Sequence, residues 1–134
     1  MLELTVDGQQ LVTSAQVTWN LLEPSVGPAA AEAAAAGWAV LVEEAVANGG
    51  RLTPAGGPPA PVTALAATRG VTEDAIALAA ALAQPWASVV LSGAVTRAQL
   101  DANLAALTVG QLPALDPAAS LRAYWAARAA RPWR

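Results

Sequence analysis

Short apolar runs and alanine-rich stretches alternate along this chain, and turn residues separate them. Residues Ala15 to Leu22 (AQVTWNLL) are β-branched and aromatic around an apolar centre, which predicts a strand. Upstream, Asp7-Gly8 stands between LELTV and QQLVT and reads as a turn or a hairpin. Glu23-Pro24-Ser25 and Gly27-Pro28 are turn signals, and Pro28 is well placed to open a helix through AAAEAAAA to Gly37. Trp38 to Val42 (WAVLV) is continuously apolar, the pattern of a strand buried on both faces. After Asn48-Gly49-Gly50 comes a Pro/Gly-rich loop, Thr53 to Pro61. A short helix is expected over Pro61 to Thr68, and a firmer one over Thr72 to Ala83. In the second, Thr72 can cap while Glu73 and Asp74 place negative charge in the first turn. Ser88 to Leu91 (SVVL) predicts a third strand, stopped at Ser92-Gly93. Thr96-Arg97-Ala98-Gln99 has the form of a capping box, and the helix it opens carries Leu100, Leu104 and Leu107 on one stripe. Asp116-Pro117 opens a last helix, to about Ala130.

Buried-type strands alternating with helices imply parallel βαβ units, so the chain reads as α/β. Three such strands make either a very small open sheet or part of a larger one. The length of 134 residues suits one domain, 1–134.

Composition narrows the chemistry sharply. Hydrophobic residues make up 55% of the chain and charged residues 13%, which gives ample core material. The net charge of −3 leaves no basic face for a phosphate backbone, so nucleic acid is not expected as a partner. There is no Cys, no His and no Lys; all seven cationic residues are Arg. Thiolate nucleophiles and Cys-ligated metals are excluded, along with the commonest general base and Schiff-base chemistry. No metal is expected. The longest apolar stretch, Ala75 to Val95, is broken by Gln84-Pro85, and Met1 to Gln10 lacks a basic segment followed by an apolar one. The expectation is a cytoplasmic protein without a membrane partner.

Three stretches together resemble the C-terminal part of an aldo/keto reductase, a (β/α)8 TIM barrel that uses NADPH. AQVTWNLL resembles the sixth barrel strand, with Gln16, Val17 and Asn20 in its Gln-Val-x-x-Asn pattern. WAVLVEEAVANGGRL resembles the seventh strand and its loop. VVLSGAVTRAQLDANLAAL resembles the eighth strand and helix, with Gly93, Leu100 and Asn103 at the family's spacing. AYWAARAARPWR is similar to the tail of actinobacterial members. The resemblance implies a partial barrel, strands 6–8 with their helices and a C-terminal helical tail. It also implies cofactor-binding positions. Gln16 would hydrogen-bond the nicotinamide carboxamide, and Ala45 and Val46 would approach the pyrophosphate. Gly93 and Ala94 would turn under the adenosine phosphate, and Gln99 and Asn103, four apart on one helix face, would contact adenine.

Each position also has an ordinary structural role. Gln16 can satisfy a strand end, Gln99 can serve the capping box, Asn103 can be an exposed helix residue and Gly93 a loop glycine. Adjacent Glu43 and Glu44 point to opposite faces and make a poor acid/base pair. Glu43 falls where many members carry an aromatic that stacks on nicotinamide; Val95 and Thr96 fall where NADPH-selective members carry basic residues. The family's Asp, Tyr, Lys and His have no counterpart, since Tyr124 lies in the tail, and a full barrel needs about 250 residues. The chain is therefore expected to be a truncated or split relative of NAD(P)H-dependent aldehyde and ketone reductases. It would be inactive alone, with no catalytic residue of its own, and would bind NADP(H) weakly. A non-catalytic assembly or interaction module derived from the same fold is the alternative. The expected partners are a missing N-terminal half-barrel or further copies of the chain, because three strands would leave sheet edges and inward side chains uncovered.

Overall fold

The computed structural model of the chain describes residues 4–47, 57–115 and 121–130. Near the N-terminus, β1 (Thr5–Val6) and β2 (Gln9–Gln10) form an antiparallel hairpin. Asp7 and Gly8 both adopt positive φ, 51° and 76°, as a two-residue turn matched to strand twist requires.

The main sheet has three parallel strands, β3 (Ser14–Thr18), β4 (Ala39–Glu43) and β5 (Val89–Val90), with β4 in the centre. Gln16 aligns with Leu41 and Leu41 with Val89. The third strand is regular over only two of its four expected residues. Its pairing nevertheless reaches further, because Ser88 N–H donates to the Val40 carbonyl and Leu91 N–H to that of Val42. Trp38 lies just before β4, buried, with its backbone N–H donating to the Ala33 carbonyl.

Helices fill the intervals. Between the first two strands of this sheet runs α1 (Gly27–Ala35), which has Pro28 in its first turn and packs on β4 through its buried alanines, Ala30 and Ala33. Next come α2 (Ala60–Arg69), ending at Gly70, and α3 (Glu73–Leu82), capped by Thr72 Oγ1 accepting from Ala75 N–H. In α3 every residue from Ala75 to Ala81 is buried. A helix apolar on all sides belongs in a core, and α3 packs against α2, β5, α4 (Arg97–Leu104) and the 3₁₀ turn Ala105–Thr108. The last described helix is α5 (Leu121–Ala129). The expected turn at Asn48-Gly49-Gly50, most of the Thr53–Pro61 loop, the Asp116-Pro117 start of the final helix and Trp133 lie outside the described residues.

Burial divides the sheet by face. Val40 and Val42 are fully buried, and Val17 and Val90 pack against the same core. The alternate positions differ: Gln16 is exposed, Thr18, Leu41 and Glu43 are half-buried, and Val89 and Leu91 are exposed. The molecule is mixed α/β with a small open sheet, not a closed barrel. An all-parallel sheet is ordinarily covered on both faces; here the described residues bury one. No described helix is long and apolar enough to cross a membrane.

Candidate functional site

Parallel strands send their following loops out of one edge of the sheet, where open α/β folds place ligands. Two groups of residues meet this edge.

The first lies beyond β3 and β4. Asn20 is fully buried, and its side chain uses both ends. Oδ1 accepts from the N–H groups of Leu22 (2.9 Å) and Glu23 (3.0 Å), folding the chain back after the strand. Nδ2 donates to the Glu44 carbonyl (3.1 Å) and to the Tyr124 hydroxyl (2.9 Å). Glu44 sits in the left-handed region at φ 55°, uncommon for a non-glycine residue and found here in the turn that ends β4. Its carboxylate accepts from the Tyr124 hydroxyl at 3.3 Å and takes Arg128 Nε and Nη2 side-on. The Arg128 guanidinium also lies 5.9 Å from the Trp125 ring centroid. Thus α5, distant in sequence, is fastened across the ends of two strands.

This arrangement does not prepare Tyr124 as an acid. Burial pushes its hydroxyl above the ordinary value, and the nearby Glu44 carboxylate adds to that; the Asn20 hydrogen bond and the Arg128 charge act the other way. The Arg128 guanidinium holds its proton more firmly, chiefly through its hydrogen bonds to Glu44. A proton donor to a carbonyl needs a pKa tuned towards neutrality. The tyrosine is shifted away from it.

The second group follows β5. Gly93 takes φ 64°, a left-handed turn that glycine enters without strain. Ala94 N–H donates to Ser92 Oγ, and Asn103 Nδ2 donates to the Ser92 carbonyl at 3.2 Å, tying the loop to α4. Gln99 completes a capping box: its Oε1 accepts from Val95 and Thr96 N–H, while Thr96 Oγ1 accepts from Gln99 N–H. Gln99 and Asn103 therefore both have structural work, with Gln99 Nε2 and Asn103 Oδ1 left over.

Of the other sequence candidates, Gln16 is exposed on the open face and donates to Glu43 Oε2. Thr18 Oγ1 donates to Glu43 Oε1 at 3.3 Å. Glu43 and Glu44 do face apart, each with its own partners. Ala45 is buried and Val46 half-buried. Sequence reasoning missed the grouping of Asn20, Glu44, Tyr124 and Arg128. Asn20 and Tyr124 are 104 positions apart, and no local pattern links them.

Among the described residues no group of three or more His, Cys, Asp or Glu side chains could hold a metal. No protein-family model matches the chain, and no curated protein gives a significant match.

Proposed function

We propose that the chain is the cofactor-side segment of an aldo/keto reductase-like (β/α)8 barrel, equivalent to strands 6–8 with their helices. The observation that carries this reading is the one-sided sheet. Its helix-facing valines are buried, while Gln16, Thr18, Leu41, Glu43, Val89 and Leu91 lie on a largely open face. In a closed barrel those positions would point inward and be packed by the opposite wall.

The donor set fits the adenosine end of a dinucleotide better than the nicotinamide end. Gln99 Nε2 can donate to a ring nitrogen of adenine and Asn103 Oδ1 can accept from its amino group, since the capping box and the Ser92 contact orient both amides. Gly93 has open space where a side chain would stand, so backbone there can approach a phosphate. At the other end Gln16 Nε2 already donates to Glu43, so a nicotinamide carboxamide there would compete with that carboxylate. NADPH, when bound, would supply a hydride and leave as NADP⁺; this chain's residues would hold and orient its adenosine portion. Affinity should be weak, with Kd on the order of 0.1–1 mM, because much of an enclosing pocket is missing.

Calorimetry of the full chain with NADPH, NADH and 2′,5′-ADP tests the reading. Binding that Asn103→Ala weakens supports it, as does an absence of NADPH oxidation with a panel of aldehydes. Binding indifferent to both Gln99→Ala and Asn103→Ala would mean that the site is elsewhere. No binding to any of the three would favour the second reading, a non-catalytic assembly module. A specific feature recommends that alternative too: large apolar side chains stand exposed along α4 and β5.

A further inference from the structure

Helix α5 is held in a different way from α3. In α3 every residue from Ala75 to Ala81 is buried, whereas in α5 only Tyr124 is. Ala127 and Arg128 are half-buried, and the other positions are exposed, Leu121 and Trp125 among them at 42% and 44%. Tyr124 and Arg128 stand four apart on one face of the helix, and both reach the same carboxylate. The Tyr124 hydroxyl donates to Glu44 Oε2 at 3.3 Å, and Arg128 Nε donates to Glu44 Oε1 and Oε2 at 3.0 and 2.9 Å. Asn20 Nδ2 adds its bond to the Tyr124 hydroxyl. These bonds converge on two residues just beyond β3 and β4.

We propose that α5 is a strap over the ligand edge of the sheet. It undocks as a unit while the sheet stays folded, and the Glu44–Arg128 pair sets how often it opens. The proposal does not rest on cofactor binding. A helix of nine residues is marginal in water by itself, so α5 stays helical through what it touches, and undocking unfolds it. Segments that bury few apolar groups open locally at less free energy than the whole fold. The sheet does not have to follow. When Tyr124 leaves, water takes its place at Asn20 Nδ2, while Asn20 Oδ1 keeps the Leu22 and Glu23 amides and the turn after β3 survives. Docked, Tyr124 and Arg128 fill the edge at which open α/β folds place ligands. Undocked, that edge presents an amide donor from Asn20 and an anionic acceptor from Glu44.

Amide hydrogen exchange of the full chain, read without nucleotide, tests the strap. The amides of Trp125 to Ala129 should be at least about tenfold less protected than those of β4. Arg128→Ala should speed exchange in α5 by about 30-fold and leave β4 unchanged. Arg122→Ala is the same substitution at an exposed position of the same helix, and it should leave both within about twofold. Equal protection of α5 and β4 would overturn the proposal. So would an α5 indifferent to Arg128→Ala, a parallel acceleration of α5 and β4, or an equal effect of Arg122→Ala. Should Arg128→Ala fail to fold, Arg128→Lys decides. It keeps the charge but loses the side-on hold on Glu44, and should speed α5 exchange about threefold or more; unchanged exchange would refute the strap. Because no nucleotide is present, the result leaves the adenosine site to its own calorimetry.

Discussion

The ends of β3 and β4 and the flank of β5 belong to one sheet, yet they are finished in opposite ways. Beyond β3 and β4 the chain closes the site with polar groups that satisfy one another: Asn20 meets two backbone amides, a carbonyl and a hydroxyl, and Glu44 meets Tyr124 and Arg128. Among the described residues the exception in this cluster is Glu23 Oε2, buried without a partner although Oε1 engages Ser25. Along β5 and α4 the surface is apolar and open. Buried polar groups demand directional partners, so the first region needs specific residues in specific places. The second region asks only for apolar area, and the described residues do not supply enough. A tertiary lock therefore sits beside a surface suited to association.

If that contrast is right, the largest effect should come from Asn20. Asn20→Ala orphans the Leu22 amide, leaves the Glu23 amide with only the backbone carbonyl of residue 20, and deprives the Glu44 carbonyl and the Tyr124 hydroxyl of a donor, and should cost about 3 kcal/mol. Urea denaturation of the two proteins measures it. A loss below about 1 kcal/mol would mean that water reaches the turn and that the region is less closed than its burial implies.

The Arg128–Glu44 pair should come next. Its side chains are 24% and 14% exposed, so solvent weakens the pair without dissolving it. Arg128→Ala leaves the Glu44 carboxylate half-buried and also removes the contact with Trp125; the expected cost is about 2 kcal/mol. A double-mutant cycle with Glu44→Gln should return a coupling of about 1 kcal/mol, smaller at high salt. Additivity of the two changes would show that the ion pair does not help to hold α5, which would then rest on packing and the Tyr124 hydrogen bonds.

How much of this was legible beforehand follows from the range of each interaction. The Asp7-Gly8 hairpin, the Thr72 cap, the Thr96/Gln99 capping box and the run of β4 depend on neighbours a few residues away, so residue type and spacing predict them. β3 instead stops at Thr18, four residues short of the expected Leu22, because Asn20 turns the chain back by accepting from the Leu22 and Glu23 amides. β5 is regular over less than its run of SVVL, although Ser88 and Leu91 on either side still donate their N–H groups to β4. The Leu100, Leu104 and Leu107 stripe was readable as amphipathic; that it would face solvent was not, because periodicity marks a face without naming what covers it. Asn20 stood inside a recognisable pattern, but its partners Glu44 and Tyr124 depend on where α5 docks, and that docking is tertiary.

Tyr124 sharpens the comparison through pH. Burial raises its hydroxyl above the ordinary value of 10.0. A group whose folded value is raised contributes stability that is complete below its unfolded value and is lost as pH rises through the folded one. The wild type should therefore lose stability above about pH 10, as the unfolded tyrosine ionises and the folded one resists. Tyr124→Phe should cost about 1 kcal/mol at neutral pH, through the lost Asn20 and Glu44 bonds. As this is the chain's single tyrosine, its substitution should also flatten the alkaline decline. Guanidinium melts at a series of pH values test both arms, and an unchanged decline would place its source outside the cluster.

The smallest intrinsic effect belongs to the apolar flank, and there concentration separates the two regions. Leu107 is 69% exposed, so Leu107→Ser removes little that folding of one chain buries; in dilute solution the change should stay within about 0.5 kcal/mol. Association favours the folded state by mass action, so the wild-type melting temperature should climb as the protein is concentrated. Leu107→Ser should climb less, because an exposed leucine that association would cover is gone. Asn20→Ala should behave otherwise, with a penalty large at every concentration, since its bonds lie within one chain. Thermal melts of the three proteins over a hundredfold range of concentration put both statements on one plot. Parallel lines for wild type and Leu107→Ser would mean that the exposed leucines do not associate. A steep concentration dependence in the Asn20→Ala penalty would mean that the polar cluster takes part in assembly, and the division between the two regions would fail.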